Sequence, residues 1–151
     1  MRAVIQRCMS EASVEVNNQI TGSIDKGLVI LLGIEDEDTE RDIEWLARKI
    51  LQMRIFSDEE EKMNLSVQDI QGGVLIISQF TLHASIKKGN RPSFIRAAKP
   101  DYAERMYKQF VDHIKRQYKI QVATGQFAAH MNVRFINDGP VTILIDSKNP
   151  E

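Results

Sequence analysis

Residues 28–34 read Leu-Val-Ile-Leu-Leu-Gly-Ile, an unbroken apolar run. A strand made from them has no polar face, so it must be covered on both sides. The run is far short of the roughly 20 residues that a membrane helix needs. A chain carrying it has to build one layer on each face of a sheet, and the rest of the sequence supplies the material. Residues 2–8, 13–16 and 20–24 alternate or are β-branched, with Asn17-Asn18 as a turn signal between the second and third. Thr39 reads as a helix N-cap before an apolar stripe of Ile43, Leu46, Ala47, Ile50 and Leu51. Pro100-Asp101 opens a second helix with Ala103, Met106, Tyr107, Phe110 and Ile114 on one face. Residues 74–81, after Gly72-Gly73, and then 121–123, 132–136 and 141–145 are expected as strands.

This order implies an α+β fold: antiparallel or mixed β-sheets forming a barrel-like core, packed against two helices. No linker or repeat divides the chain, so residues 1–151 are read as one domain. A chain of 151 residues buries roughly 68–70% of its unfolded surface and can hold itself together without a disulfide or a structural metal. The start, Met1 to Arg7, regains charge too soon for a secretory signal, which implies a cytoplasmic protein.

The chemistry-bearing residues are sparse. Cys8 is the single cysteine, placed in a strand and expected to be buried and inert. His83, His113 and His130 fit no metal-ligand spacing, so neither a metal nor another cofactor is expected. Dinucleotide, P-loop and nucleophile-elbow motifs are absent. Charge is segregated: residues 35–61 hold eleven acids and four bases, residues 87–119 ten bases and three acids, within a net charge of -1. A basic stretch of this kind binds phosphates whatever the total charge. It is equally what two solvated helix faces look like.

Two segments concentrate polar groups beside strands. Ser78-Gln79-Phe80-Thr81-Leu82 ends the 74–77 run, where a hydroxyl and an amide can furnish hydrogen bonds to a pocket. Thr81 as a nucleophile would need an adjacent base, and no motif ties His83 or His130 to it. Asn137-Asp138-Gly139-Pro140-Val141-Thr142 has two readings: a turn, or bare backbone presented to a ligand at Gly139-Pro140.

The two segments together resemble the signature motifs of the D-aminoacyl-tRNA deacylases. The likeness extends through Arg2 to Arg7, Gly27-Leu28, Arg54-Ile55-Phe56, Lys62 to Ser66 and Lys88 to Phe94. It implies an esterase that frees D-amino acids from the 3′ end of tRNA, a chiral proofreading step, without a cofactor. It also implies a homodimer with active sites at the subunit interface. There Gly139-Pro140, joined by a cis bond, enters the partner's pocket and faces Ser78, Gln79, Phe80 and Thr81. Arg7 is implied to orient that segment, and Phe127 and Met131 to line the amino-acid pocket. His130 departs from the Asp that the resemblance leads one to expect. A filter that excludes the L-configured Cβ cannot exclude glycine, so glycyl-tRNA is expected to be cleaved too. The competing reading from another class is a non-catalytic nucleic-acid-binding dimer module using the basic stretch.

Overall fold

The apolar run lies where its composition demands, in the middle strand of a five-stranded sheet. The computed structural model describes residues 1–150. In chain order the first half comprises β1 (Arg2–Cys8), β2 (Ala12–Val16), β3 (Gln19–Ile24), β4 (Gly27–Gly33), α1 (Glu40–Gln52), β5 (Phe56–Ser57) and β6 (Met63–Leu65). The second half comprises β7 (Gly73–Ser78), a 3-10 turn (Phe80–His83), α2 (Pro100–Gln117), β8 (Gln121–Thr124), β9 (Asn132–Arg134) and β10 (Thr142–Asp146).

The central sheet has the order β10-β1-β4-β7-β8. Its first half is antiparallel, whereas β4, β7 and β8 run parallel, with α1 and α2 as the crossovers between them. The alternation of β4 then divides cleanly. Leu28, Ile30 and Leu32 join Ile43, Leu46, Ile50 and Phe110 in the helix layer. Val29 faces the other way, into a second core with Val14 and Ile24. β7 repeats the division, with Val74 and Ile76 on the helix side and Leu75 and Ile77 opposite. Each such side chain, taken fully out of water, contributes about 1.5–3 kcal/mol. Cys8 is buried in the second core, as its strand position implied, and burial pushes its thiol pKa up.

The expected barrel-like closure does not form. β10 and β8 are the edges of the five-stranded sheet, and β3-β2-β9 is a separate three-stranded sheet. After β1 the chain turns onto the face of the central sheet to cover Val29, Leu75 and Ile77, so its strands stack on that sheet instead of extending its ladder. Asn17 and Asn18 make the β2–β3 turn with φ of 50° and 61°. The β5–β6 hairpin carried no periodic signal in the sequence. It is held by the Asp58 carboxylate, which accepts from the Glu60 and Lys62 N–H groups at 2.9 and 3.0 Å and from the Asn64 amide at 2.6 Å.

The expected strand over 74–81 is also shorter than its pattern. Ser78 pairs with Leu32, near the end of β4, and beyond it β7 has no neighbour to continue the ladder. Gln79 still donates its N–H to Leu32 O at 2.7 Å, and the chain then tightens into the 3-10 turn. Thr39 does precede α1, where its N–H and hydroxyl donate to the Asp42 carboxylate at 2.8 and 3.0 Å. α1 and α2 pack together on one sheet face, so the acidic and basic stretches adjoin along that layer. Among the described residues no helix is long and apolar enough to cross a membrane.

Candidate active site

The ends of parallel strands are where an open sheet leaves a crevice. Here the C-terminal ends of β4 and β7, the start of α2 and the segment 127–131 enclose a cavity of about 630 Å³. Ser78, Gln79, Phe80, Phe127, His130 and Met131 all line it, so the structure brings together five of the expected site residues and the anomalous histidine. Local backbone explains how the 127–131 segment reaches the cavity. Ala128 adopts a left-handed φ of 62° in a turn closed by the Ala129 N–H on Gln126 O at 3.2 Å. Phe127 packs on Tyr107, with ring centroids 5.9 Å apart. Tyr107 is fixed in turn by its hydroxyl, which donates to Ile76 O at 2.7 Å, and burial raises its pKa.

The walls are apolar, and among the described residues no Asp or Glu lines them. The main-chain N–H of Gln79 is already committed to Leu32 O. The Phe80 N–H meets no acceptor among the described residues, which leaves it available to a ligand. Phe94 and Lys99 also line the cavity. In the sequence Phe94 is marked only by the Lys88-to-Phe94 likeness and Lys99 only by the basic stretch.

Thr81 stands apart. It lines a second, open cleft with Arg2, Val4 and Leu144, and its hydroxyl accepts from the Gln79 side-chain amide at 2.6 Å. No His, Asp or Glu among the described residues hydrogen-bonds Ser78 or Thr81, so a nucleophile–base pair is not assembled within the chain. His83, two residues on, is fully buried with neither ring nitrogen hydrogen-bonded and Nδ1 3.8 Å from the Glu35 carboxylate, and burial lowers its pKa. No group of three metal-ligating side chains occurs among the described residues.

Gly139, Pro140 and Arg7 do not enter this chain's own cavity. Gly139 and Pro140 are exposed ahead of β10, their peptide bond is cis, and Gly139 has φ of 123°. The loop is pinned from below. Arg7 donates from Nε to Asp138 O at 3.2 Å and from Nη1 to Ile55 O at 2.6 Å, and its Nη2 lies 2.9 Å from the Asp138 carboxylate. Asn137 braces the far side, accepting from the Val141 N–H at 2.9 Å and donating to the Thr142 hydroxyl at 2.7 Å. A Cβ added at Gly139 would lie 2.8 Å from Val141 Cγ2 and 3.1 Å from Arg7 Nη2. The tip is therefore braced from both sides, and both of its residues are exposed.

The features define a small α+β protein with a largely apolar cavity at its strand ends and, away from it, an exposed braced loop. The family model described as D-Tyr-tRNA(Tyr) deacylase matches residues 4–146, and the chain belongs to that family. A curated D-aminoacyl-tRNA deacylase from Flavobacterium johnsoniae is 57% identical over the full length of both chains. One from Thermosipho melanesiensis is 52% identical over 98% of each. Curated relatives of this name make the family one of hydrolases. Among solved structures, the "c-Myc DNA Unwinding Element Binding Protein" aligns with a TM-score of 0.91 and 41% identity, covering 97% of this chain and 98% of that one. A second, titled "Structural Analysis of a probable eukaryotic D-amino acid tRNA deacylase", shares the fold with a TM-score of 0.77 at 18% identity, covering 95% and 98%.

Proposed function

We propose that this protein hydrolyses the ester of D-aminoacyl-tRNA to free D-amino acid and tRNA, working as a homodimer in which each site is completed by the partner's Gly139-Pro140. The observation that carries this reading is the separation of two incomplete halves. One chain offers a cavity for a side chain and a free Phe80 N–H, but among the described residues no carboxylate lines it to pair with an α-amino group. The same chain offers, elsewhere, a braced loop with exposed carbonyls and no cavity. A dimer joins the two. Val4 lies opposite Leu144 on one side and Leu31 on the other, on a sheet face the three-stranded sheet leaves open, and Leu144 is 66% exposed. Such a face suits a second copy.

In this arrangement the carbonyls of Gly139 and Pro140 hold the α-amino group and leave no room for an L-configured Cβ. Backbone is the better choice for such a filter, since side chains swing away. The Phe80 N–H receives the oxyanion that develops on the ester carbonyl. Water attacks the carbonyl carbon, the bond to the ribose oxygen breaks, and the water proton passes to that oxygen with help from the neighbouring 2′-hydroxyl. Thr81 holds the Gln79 side chain through its hydroxyl, Phe127 and Met131 accept the substrate's side chain, and Arg7 holds the loop. Glycine has no Cβ to exclude, so glycyl-tRNA is a substrate as well.

Incubation with D-tyrosyl-, L-tyrosyl- and glycyl-tRNA tests this directly. Release from the first and third but not the second is expected. Absence of stereoselective release would end the deacylase reading, and cleavage of L-alanyl-tRNA as fast as glycyl-tRNA would end the exclusion filter. A non-catalytic nucleic-acid-binding dimer would instead show salt-sensitive binding to generic RNA or DNA with no turnover.

A further inference from the structure

We infer that His83 is a positioning residue: kept neutral, it seats the 3-10 turn whose first residue offers the Phe80 N–H to the ester. This inference rests on the function proposed above and adds to it the residue that sets the oxyanion donor in place. The turn is a compact unit. Gln79 ties its start to Leu32 O, the Leu82 N–H closes on Gln79 O at 3.3 Å, and the Ala84 N–H closes on Thr81 O at 3.0 Å. Of its four residues only His83 is buried, so this side chain anchors the turn to the interior. The seat is the end of β4. A Cβ added at Gly33 would lie 3.0 Å from Gln79 O, 3.0 Å from Leu82 Cβ and 3.1 Å from His83 Cδ2, so ring and turn rest on the same bare backbone.

An apolar side chain would fill this space as well, and buried polar groups are as a rule hydrogen-bonded. Neither nitrogen of His83 has such a bond. Few charged groups face the ring. Glu35, in the loop after β4, holds a carboxylate oxygen 3.8 Å from Nδ1. From the start of the chain come Arg2, whose guanidinium donates to Leu82 O at 3.1 Å, and the α-ammonium of Met1, which is bound to the Asp38 carboxylate. Burial disfavours a charge on the ring, and Arg2 and the α-ammonium add to this against the opposing pull of Glu35, so the imidazole is neutral at neutral pH. Protonation upsets the seat. An imidazolium carries two N–H donors and needs acceptors for both. It has to draw Glu35 inward or admit water, and either lifts the ring off Gly33 and carries Phe80 with it.

The test compares wild type, His83→Ala and His83→Leu on D-tyrosyl-tRNA. His83→Ala removes the anchor, so at about pH 7.5 kcat should fall about tenfold while KM changes little. His83→Leu fills the space without a titrating group and should keep kcat within about threefold. The ratio of wild-type to His83→Leu kcat cancels the pH dependence that ester hydrolysis itself brings. It should be level above about pH 7 and fall about tenfold by about pH 5. A ratio that stays level down to about pH 5 overturns the proposal, as does a folded His83→Ala protein with wild-type kcat or a His83→Leu protein no better than His83→Ala. If wild type releases no D-amino acid, the function above fails. Amide NMR spectra then judge His83 alone: the Phe80 N–H resonance should follow the titration of the His83 ring in wild type and hold still in His83→Leu. A Phe80 resonance that ignores that titration overturns the seating.

Discussion

Arg7→Ala probes the link between the braced loop and chirality. In the folded chain the guanidinium donates to the buried Ile55 carbonyl at 2.6 Å and to Asp138 O at 3.2 Å, and it pairs with the Asp138 carboxylate at 2.9 Å. Stripping the donor from a buried carbonyl costs about 1–3 kcal/mol, and the part-buried Asp138 carbonyl adds about 1. The Asp138 side chain is 44% exposed, so screening holds its ion pair to about 1 kcal/mol or less. The sum is about 2–5 kcal/mol, which at ~2–4 °C per kcal/mol lowers Tm by about 4–20 °C. Folding should survive, because the main-chain bonds between Arg7 and Asp138 and between Arg7 and Val141 do not involve the side chain. Arg7→Lys keeps the charge but loses the fork, and should fall about midway. The assay is thermal unfolding at fixed protein concentration, paired with kcat/KM on D- and L-tyrosyl-tRNA. We expect at least a tenfold fall for the D substrate and a smaller D-over-L ratio. A Tm within 2 °C of wild type would refute the energetic reasoning, and an intact D-over-L ratio in a destabilised variant would refute the role given to the loop.

Other expectations follow from the same structure. Gly139→Ala places a Cβ against Val141 and Arg7 at a φ that L residues rarely adopt, so D-tyrosyl-tRNA hydrolysis should fall more than tenfold with about 1–3 kcal/mol of stability, read by kinetics and denaturant unfolding. Thr81→Ala should keep activity within an order of magnitude, and loss to background would make Thr81 the nucleophile. Tyr107→Phe should cost about 1 kcal/mol through the lost bond to Ile76 O and leave D-over-L selectivity unchanged. Burial raises the Asp42 pKa, but donors from Ser147, the Thr39 N–H, Lys148 and the Thr39 hydroxyl outweigh it and hold the carboxyl below its ordinary value. Its contribution is therefore full above about pH 4 and lost as pH falls through the lowered folded value. Acid titrations of unfolding free energy should be flatter for Asp42→Asn than for wild type.

Much of this architecture was legible because burial leaves a period in the sequence. The run at residues 28–34 announced a strand covered twice, and the stripes from Ile43 to Leu51 and from Ala103 to Ile114 announced the helices that cover one side of it. What escaped was decided by partners distant in sequence. The strand pattern through Thr81 is genuine, yet β4 ends first and leaves residues 80–83 to fold on themselves. The barrel reading failed because strand count says nothing about which edges meet. Ser78, Phe80, Phe127 and Met131, distant in sequence, line one cavity. The commitment of the Gln79 amide to Leu32, which makes Phe80 the available donor, depends on a ladder no local pattern encodes. Phe94 is marked in the sequence only by the likeness that runs from Lys88, because its place on the cavity wall is a property of the fold.

The central claim is that each site takes its cavity from one chain and its Gly139-Pro140 from the other, and subunit mixing tests it most directly. Phe80→Pro deletes the donor N–H, and Gly139→Ala spoils the loop; each homodimer should be inactive toward D-tyrosyl-tRNA. After subunit exchange, half the dimers should be mixed and each should hold one intact site, restoring about one quarter of wild-type activity. Mixed dimers that are verified by mass yet remain as inactive as either parent would contradict the account.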